Sequence, residues 1–197
     1  MKITLITIAV LAILILISQL YLIMAKTETQ PYRIIKTETD FEIRLYPPAT
    51  MASISMNAKT YKEISSPGFR KLASFIFGGN QSKKNIAMTT PVHMNINKSE
   101  SSMSFVMPAN YNKDNLPKPN DSTITITTTT EEYVAAIQFS GYANDEEIKK
   151  YASKLEKALK TNDIEYYGNF RFLGYNAPFQ FLGRKNEIIV SIHWNGK

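Results

Sequence analysis

The sequence predicts an α+β protein in which two β-α-β-β repeats form a twisted, antiparallel, barrel-like sheet with two flanking helices, preceded by an N-terminal helix of transmembrane length. Three observations predict this class. The order strand, helix, strand, strand occurs twice along the chain. The strand segments alternate polar and apolar residues, and each repeat holds one amphipathic helical stretch. Two such halves pack as layers, and the hollow between them is a natural ligand site.

The N-terminal stretch is uncharged and rich in Ile and Leu from Ile3 to Ala25. As a helix it would be roughly 34 Å long, enough to cross a hydrocarbon core of about 30 Å. A cleaved signal peptide is the alternative, but its apolar region is normally about 7–15 residues long. The triplet Ile23-Met24-Ala25 also fits a small-x-small cleavage site poorly. We therefore expect an uncleaved single-pass membrane anchor over residues 1–25.

The rest of the chain fits one domain, which we place at 32–197 after a linker at 26–31. The whole chain carries 23 Lys and Arg against 17 Asp and Glu, a net charge of +6. This charge forms no basic stripe, so we expect no nucleic-acid partner. There is no cysteine, which excludes disulfides, thiolate metal sites and a cysteine nucleophile. Lys2 precedes the anchor while Lys26, Arg33 and Lys36 follow it, so the charges alone do not set its orientation.

The first repeat contains a helical stretch over Tyr61–Phe77. Ser66 can cap a helix and Pro67 suits its first position, so we expect the regular helix to start there. Gly78-Gly79 should end it. Strands are expected at Phe41–Tyr46, Met51–Ala58, Ile86–Ile96 and Met103–Met107.

The second repeat contains a helix that Asn144 should cap, with Glu147 at the capping-box position. The apolar residues that follow have the helical period of 3.6. Extended segments are expected at Thr123–Ser140, Phe170–Tyr175 and Glu187–Trp194.

No group of residues in the sequence predicts catalysis or a metal site. His93 and His193 each lie off the apolar face of their strand, which favours solvated or hydrogen-bonded histidines over ligands. Asp145-Glu146-Glu147 falls in a helix's first turn, where negative charge stabilises the helix dipole. Nucleophile-elbow, phosphate-loop and dinucleotide motifs are absent from the sequence.

Two sets of residues leave alternatives open. Arg70, Lys71, Lys83 and Lys84 cluster around the first helix and its exit, either as a solvated face or as a site for ligand carboxylates. Met88, Met94, Met103 and Met107 could fill the core or line an adaptable apolar cavity.

Seven ordered motifs give the chain a resemblance to the SOUL/haem-binding protein family from about Tyr32 to the C-terminus. They are FEIRLY (41–46), FRKLASFIFGGN (69–80), IAMTTPV (86–92), FVMP (105–108) with Tyr111, LPKP (116–119), FSGYA (139–143), and GYNAP (174–178) leading to RKNE (184–187). The family's fold, two β-α-β-β repeats in a twisted barrel, agrees with the periodicity. The chain also resembles bacterial effector-binding domains, which hold small molecules.

The resemblance implies non-catalytic binding of haem or a related tetrapyrrole, for carriage or buffering at a membrane, by a monomeric and exported domain. The ligand would lie in an open apolar groove between the first helix and the loop before the last strand. The alternative is an effector-binding-like module for another hydrophobic small molecule. Carried over by position, the groove residues are Ser66, Phe69, Ala73, Ser74, Phe179 and Gln180.

The sequence departs from the family pattern in two ways. Ser66, Ser74 and Gln180 stand where members can carry Arg or Lys, so propionate pairing would shift to Arg70, Lys71 or Arg184. Leu45 stands where some members have a histidine proposed as the axial iron ligand, and leucine cannot ligate iron. Any haem binding should therefore be weakly ligated or use another group.

Overall fold

The computed structural model describes residues 2–25, 27–177 and 180–196; in the first helix it describes the side chains of residues 6–17. The helices are α1 (Lys2–Ala25), α2 (Tyr61–Ile76) and α3 (Asp145–Thr161). The strands are β1 (Glu28–Thr29), β2 (Arg33–Thr37), β3 (Glu42–Tyr46), β4 (Thr50–Met56), β5 (Thr89–Thr90), β6 (Val92–Asn95), β7 (Ser101–Val106), β8 (Ile124–Thr128), β9 (Glu132–Phe139), β10 (Tyr166–Gly174) and β11 (Asn186–Ile192).

Nine of these strands form one antiparallel sheet in the order β2-β3-β9-β11-β10-β6-β7-β4-β8, and β1 pairs with β5 in a separate parallel ladder. The outer strands β2 and β8 each have one neighbour, so the sheet is not closed and the expected barrel is wrong in this respect. The physical reason lies in these edge strands, whose side chains are mostly exposed and give neither edge an apolar face to bury against the other.

Two short connections nevertheless force the sheet to curl. Residues 47–49 join β3 to β4, and residues 129–131 join β8 to β9, although each pair of strands is six positions apart in the sheet. In a flat sheet that separation would be roughly 29 Å at ~4.8 Å per strand. Three linking residues span at most about 14 Å between the strand ends. The two ends of the sheet must therefore bend towards each other.

Helices α2 and α3 pack side by side on one face of this sheet. Helix α2 lies on β4 and β7, and α3 lies on β9, β10 and β11. Gly68 allows the close approach of α2, because a Cβ atom there would lie 3.2 Å from Met103 Cε. Burial of the shared apolar face provides most of the stability of this layer. Its fully buried members include Ile64, Leu72, Phe75, Phe105, Leu155, Leu159 and Ile188.

The start of α2 differs from the sequence prediction. The helix begins at Tyr61, and the Thr60 side chain accepts a hydrogen bond from the Glu63 backbone N–H at 3.2 Å. The Glu63 carboxylate in turn accepts from the Lys59 N–H at 2.7 Å. This reciprocal cap stabilises the first turn, so Pro67 lies inside the helix instead of opening it. The predicted Asn144 cap of α3 is confirmed, with Glu147 N–H donating to Asn144 Oδ1 at 2.9 Å.

The sequence predicts a helix of transmembrane length at the N-terminus, and α1 spans 24 residues. Among helices whose side chains the structure describes, none is both long and apolar enough to cross a membrane.

The face of the sheet opposite the helices buries an ion pair. The Arg44 guanidinium donates to both oxygens of Glu187 at 2.9 and 3.0 Å, and these side chains are 3% and 0% exposed. Burial alone would lower the pKa of Arg44, but the hydrogen bonds and charge of Glu187 raise it above its usual value. Burial would likewise raise the pKa of Glu187, yet bonds from Arg44 and Tyr175 hold it below its usual range. Both groups therefore stay charged.

His93 lies on the same face and is enclosed. Its Nε2 is 2.7 Å from Gln30 Oε1, and its ring is 8% exposed. Burial, reinforced by the nearby charge of Arg171, lowers the pKa of His93 to about 3. The imidazole is therefore neutral at physiological pH.

We expect Glu187→Gln to lower the free energy of unfolding at pH 7 by about 3 kcal/mol, because it leaves the buried Arg44 guanidinium with Glu42, a partly exposed carboxylate 2.7 Å from its Nε, as its remaining counter-ion. Urea unfolding followed by circular dichroism measures this. The matched control is Glu132→Gln, which removes a half-buried bidentate partner of Arg171. If Glu187→Gln lowers the free energy of unfolding no more than Glu132→Gln does, the structural role of the buried pair is contradicted.

His93 should make stability depend on pH. The unfolded chain takes up a proton near pH 6.5 while the folded chain does not until about pH 3, so stability is full above pH 6.5 and falls below it. At pH 5 the loss should be about 2 kcal/mol. His93→Gln should flatten this slope, whereas His193→Gln, whose ring is exposed, should keep it. Parallel slopes for wild type and His93→Gln between pH 7 and 5 would refute this assignment.

Candidate ligand-binding site

Helix α2 carries six of the predicted site residues on different sides. At 3.6 residues per turn, Ser66, Phe69 and Ala73 lie along one side of its buried stripe, here called the apolar flank. Lys71 and Ser74 lie along the other side, the basic flank. Arg70 projects between the two flanks from the outer surface of the helix and is exposed. The spacing of these residues therefore does not bring them to one common surface.

The basic flank faces a surface cavity of about 490 Å³. Its walls come from α2 and from the chain that leads into β8: Arg70, Lys71, Ser74, Phe75, Gly79, Asn120, Asp121 and Ile124. This volume suits a small organic molecule.

The two cations at this cavity differ in their freedom to bind a ligand. Lys71 Nζ lies 3.2 Å from Asp121 Oδ2 and donates to Thr123 Oγ1 at 3.1 Å. Hydrogen bonds from Thr123, followed by the Lys71 ammonium, hold the pKa of Asp121 below its usual value, so this carboxylate is ionised and Lys71 is paired. Arg70 makes no side-chain hydrogen bond or ion pair with any residue that the structure describes. Arg70 is therefore the free cation at this cavity.

The apolar flank faces the middle of the sheet. The Phe69 ring packs edge-on against Phe105 of β7, with centroids 5.3 Å apart, and both Phe69 and Ala73 are half-buried. Ser66 is exposed one turn earlier. This flank presents aromatic and aliphatic surface without a charge, which suits the face of a flat apolar ring system.

The loop between β10 and β11 is linked to the first turn of α2 through α3. The Tyr61 backbone N–H donates to Asp145 at the start of α3 at 2.5 Å, and its ring lies 5.4 Å from Phe172. Arg184, at the end of the loop, stacks on Tyr142 three residues before Asp145, with the guanidinium 4.4 Å from the ring centroid. The end of the loop is therefore linked to the start of α2 through the start of α3.

Within this loop, Arg184 is engaged by its own segment. Its guanidinium donates to the carbonyls of Ala177 and Gln180 at 2.9 and 2.8 Å and stacks 4.4 Å from the Tyr142 ring. Gln180 donates through Nε2 to the Leu182 carbonyl at 3.1 Å. Arg184 thus holds the loop in shape, and Phe179 lies outside the described residues.

The structure thus brings Arg70, Lys71 and Ser74 to one cavity whose lining includes none of the other predicted residues. Sequence reasoning missed Tyr61 and the exposed side chains of Phe181 and Leu182 at the loop tip. The two adjacent apolar residues before Gly183 could have indicated the exposed loop tip. No local pattern marks Tyr61, because its position depends on tertiary contacts.

A smaller cavity of about 220 Å³ lies between α3 and the sheet. Its walls are largely apolar and include Met94, Ile148, Ala152, Phe170 and Phe172. Of the four methionines considered from sequence, Met94, Met103 and Met107 belong to the buried core and Met88 packs against it. Methionine here fills the core more than it lines a large cavity.

Neither histidine is placed to ligate a metal in either cavity. His93 is enclosed on the opposite face of the sheet and bonded to Gln30. His193 stacks on Tyr167 with ring centroids 4.5 Å apart, beside the segment that joins α3 to β10. Leu45 is buried. In the part of the chain that the structure describes, no group of three or more His, Cys, Asp or Glu side chains could hold a metal ion.

Comparisons with known structures show the fold. The C-terminal domain of EcmrR has a TM-score of 0.58 at 9% identity, covering 82% of this chain and 98% of that one. A structure described as a hydrolase from Listeria innocua has a TM-score of 0.57 at 8% identity, covering 80% and 94%. At these identities the likeness concerns architecture alone.

Comparisons of sequence are more specific. Heme-binding protein 1 of Xenopus laevis is 30% identical over 156 residues, covering 75% of this chain and 81% of that one. Heme-binding protein 2 of Homo sapiens is 31% identical over 159 residues, covering 75% and 76%. The family model described as SOUL heme-binding protein matches residues 27–191, which span both helices of the domain and the β10–β11 loop. The chain belongs to the SOUL heme-binding protein family.

Proposed function

We propose that this protein binds haem or a related tetrapyrrole without covalent attachment and without catalysis, for carriage or buffering. The observation that carries this proposal is the family match over residues 27–191, which includes α2 and the β10–β11 loop. The names of the relatives describe binding proteins. The proposed site is an open groove along the apolar flank of α2, bordered by the loop that holds Gln180 and Phe179.

Apolar contact would supply most of the affinity in such a groove. A flat macrocycle against Phe69 and Ala73 would remove apolar surface from water, at about 25 cal/mol per Å². Ser66 could contribute a hydrogen bond but no charge, whereas Ser74 lies on the basic flank of α2.

Propionate pairing would depend on Arg70. Its guanidinium is exposed and free among the described residues, and a free Arg can bind a carboxylate through two parallel hydrogen bonds. Lys71 would first have to leave Asp121, and Arg184 would have to release two loop carbonyls. Of the three cations named from the sequence, Arg70 is therefore the most available to pair with a propionate.

A non-haem role is the second candidate, in which the domain is an effector-binding-like module for another hydrophobic small molecule. The observation that favours it is the division of the predicted residues between two flanks of α2. The 490 Å³ cavity at the basic flank, which Phe75 and Ile124 also line, could then hold a smaller hydrophobic molecule.

We also propose that α1 attaches the domain to a membrane, with the domain on the exported side. Support comes from the large apolar side chains of α1 whose surroundings the structure describes, all of which are half or more exposed: Ile6, Ile8, Val10, Leu11, Ile13, Leu14, Ile15, Leu16 and Ile17. Exposed apolar surface of this extent is stabilised by lipid. The division into residues 1–25, 26–31 and 32–197 and the monomeric state of the domain remain predictions.

Haemin and iron-free protoporphyrin should bind with similar affinities, because neither histidine lies on α2 or on the loop that borders the proposed groove. Titration of the protein with each ligand, followed by the Soret band, measures the two affinities. The same titration without the protein is the control for non-specific changes. A strong preference for haemin would show iron ligation and contradict the proposed groove. Binding of neither ligand would leave the non-haem module as the function.

Arg70→Ala should weaken haemin binding about five- to tenfold, the cost of roughly one charge-assisted hydrogen bond at an exposed site. Lys71→Ala should have a smaller effect, since Lys71 is already paired with Asp121. The matched control is Lys157→Ala, which removes an exposed positive charge from α3. Equal affinities for Arg70→Ala and the control would exclude Arg70 as the propionate partner.

A further inference from the structure

The tip of the β10–β11 loop exposes two adjacent large apolar side chains. Phe181 is 76% exposed and Leu182 is 85% exposed, the highest values among the large hydrophobic residues that the structure describes. Single exposed apolar residues are ordinary on protein surfaces, but two at a projecting loop tip lose no contact with the core when they enter another apolar phase. The position of the tip relative to α1 identifies this apolar phase.

Strand register places this loop at one end of the sheet. Gly174, the last residue of β10, pairs with Val92 at the start of β6, and Asn186, the first residue of β11, pairs with Phe139 at the end of β9. The loop between Gly174 and Asn186 therefore projects beyond the end of the sheet at which β6 begins.

The N-terminal segment enters the domain at the same end. Glu28 and Thr29 pair in parallel with Thr89 and Thr90, just before β6, and Gln30 N–H donates to the Thr90 carbonyl at 2.7 Å. Because the two segments run in parallel towards β6, the chain before Glu28 leads outward past that end. Helix α1 ends at Ala25, so its C-terminal end lies within about 7 Å of Thr27.

Charged side chains of both signs lie on the segments at this end of the sheet. Lys83 and Lys84 lie on the segment that leads to β5, and Lys113 and Lys118 lie on the segment that follows β7; all four are exposed. Acidic Asp114 accompanies them, while Glu28 is held by the Ala109 backbone N–H at 2.9 Å. The acidic first turn of α3 follows β9 at the same end of the sheet, so the apolar tip, and not the charge, favours a bilayer there.

We propose that the loop tip formed by Phe181 and Leu182 inserts into the interfacial layer of the membrane to which α1 attaches the domain. This inference rests on the proposed membrane attachment of α1. The domain then has a fixed orientation, with the β10–β11 loop against lipid. The groove that this loop borders opens next to the bilayer, so a tetrapyrrole dissolved in lipid reaches it without crossing bulk water.

The absence of native cysteine allows a direct test in the full-length protein. Three single-cysteine variants carry an environment-sensitive NBD label: Leu182→Cys at the loop tip, Leu11→Cys in α1, and Ser99→Cys in the β6–β7 connection at the opposite end of the sheet. Each is reconstituted in vesicles of phosphatidylcholine and phosphatidylglycerol at a ratio of about 7:3, with and without nitroxide-labelled lipid.

The expected result is a blue-shifted emission for the Leu182 label and nitroxide quenching several-fold stronger than for the Ser99 label. Phe181→Ser in the Leu182→Cys background should reduce this quenching. If the Leu11 label is quenched while the Leu182 label behaves like the Ser99 label, the loop proposal is overturned and the attachment of α1 stands. If neither the Leu11 nor the Leu182 label is quenched, both proposals fail.

Discussion

The structure depends on the buried ion pair between Arg44 and Glu187. It joins β3 to β11 across the intervening β9, on the face of the sheet that lacks helices. Two buried charges are tolerated there because each is the other's partner and Tyr175 donates a further hydrogen bond to Glu187 at 2.7 Å. Lys185 also contacts Glu187 at 3.0 Å. Because Tyr175 and Lys185 begin and end the β10–β11 loop, the pair that braces the curled sheet also fixes the base of the loop beside the candidate groove.

The curl of the sheet also explains why the candidate site is open. Its helical face is filled by α2, α3 and their shared core, so a ligand must lie on the sides of the helices and not inside a closed barrel. The face with Arg44 and Glu187 is occupied by the hydrogen-bonded side chains of Arg44, Glu187 and Tyr175. The proposed groove would select a ligand by flat apolar contact and by the charge at its rim, which Arg70 would supply.

Sequence patterns predicted the elements that depend on local chemistry. The Asn144 cap and the helical period of α3 are local signals, and strand alternation located β4, β7 and β11 for the same reason. The short strands β1 and β2 were missed because they exist only through pairing with distant segments, and the predicted strand Ile86–Ile96 is divided into β5 and β6. For the candidate site, the sequence placed six predicted residues on α2 but did not predict the rotation of this helix on the sheet, which separates Phe69 from Lys71. The engagement of Arg184 by loop carbonyls also depends on tertiary structure.

The chemistry of the site bears on what kind of cargo the protein would carry. Iron in a tetrapyrrole is selected by a protein ligand such as histidine, and here one histidine is enclosed with Gln30 while the other stacks on Tyr167. The proposed groove without a histidine would recognise the macrocycle and its propionates more than the metal. Control of the iron's axial positions is what tunes a redox potential or activates oxygen. The proposed carriage or buffering of a tetrapyrrole needs no such control.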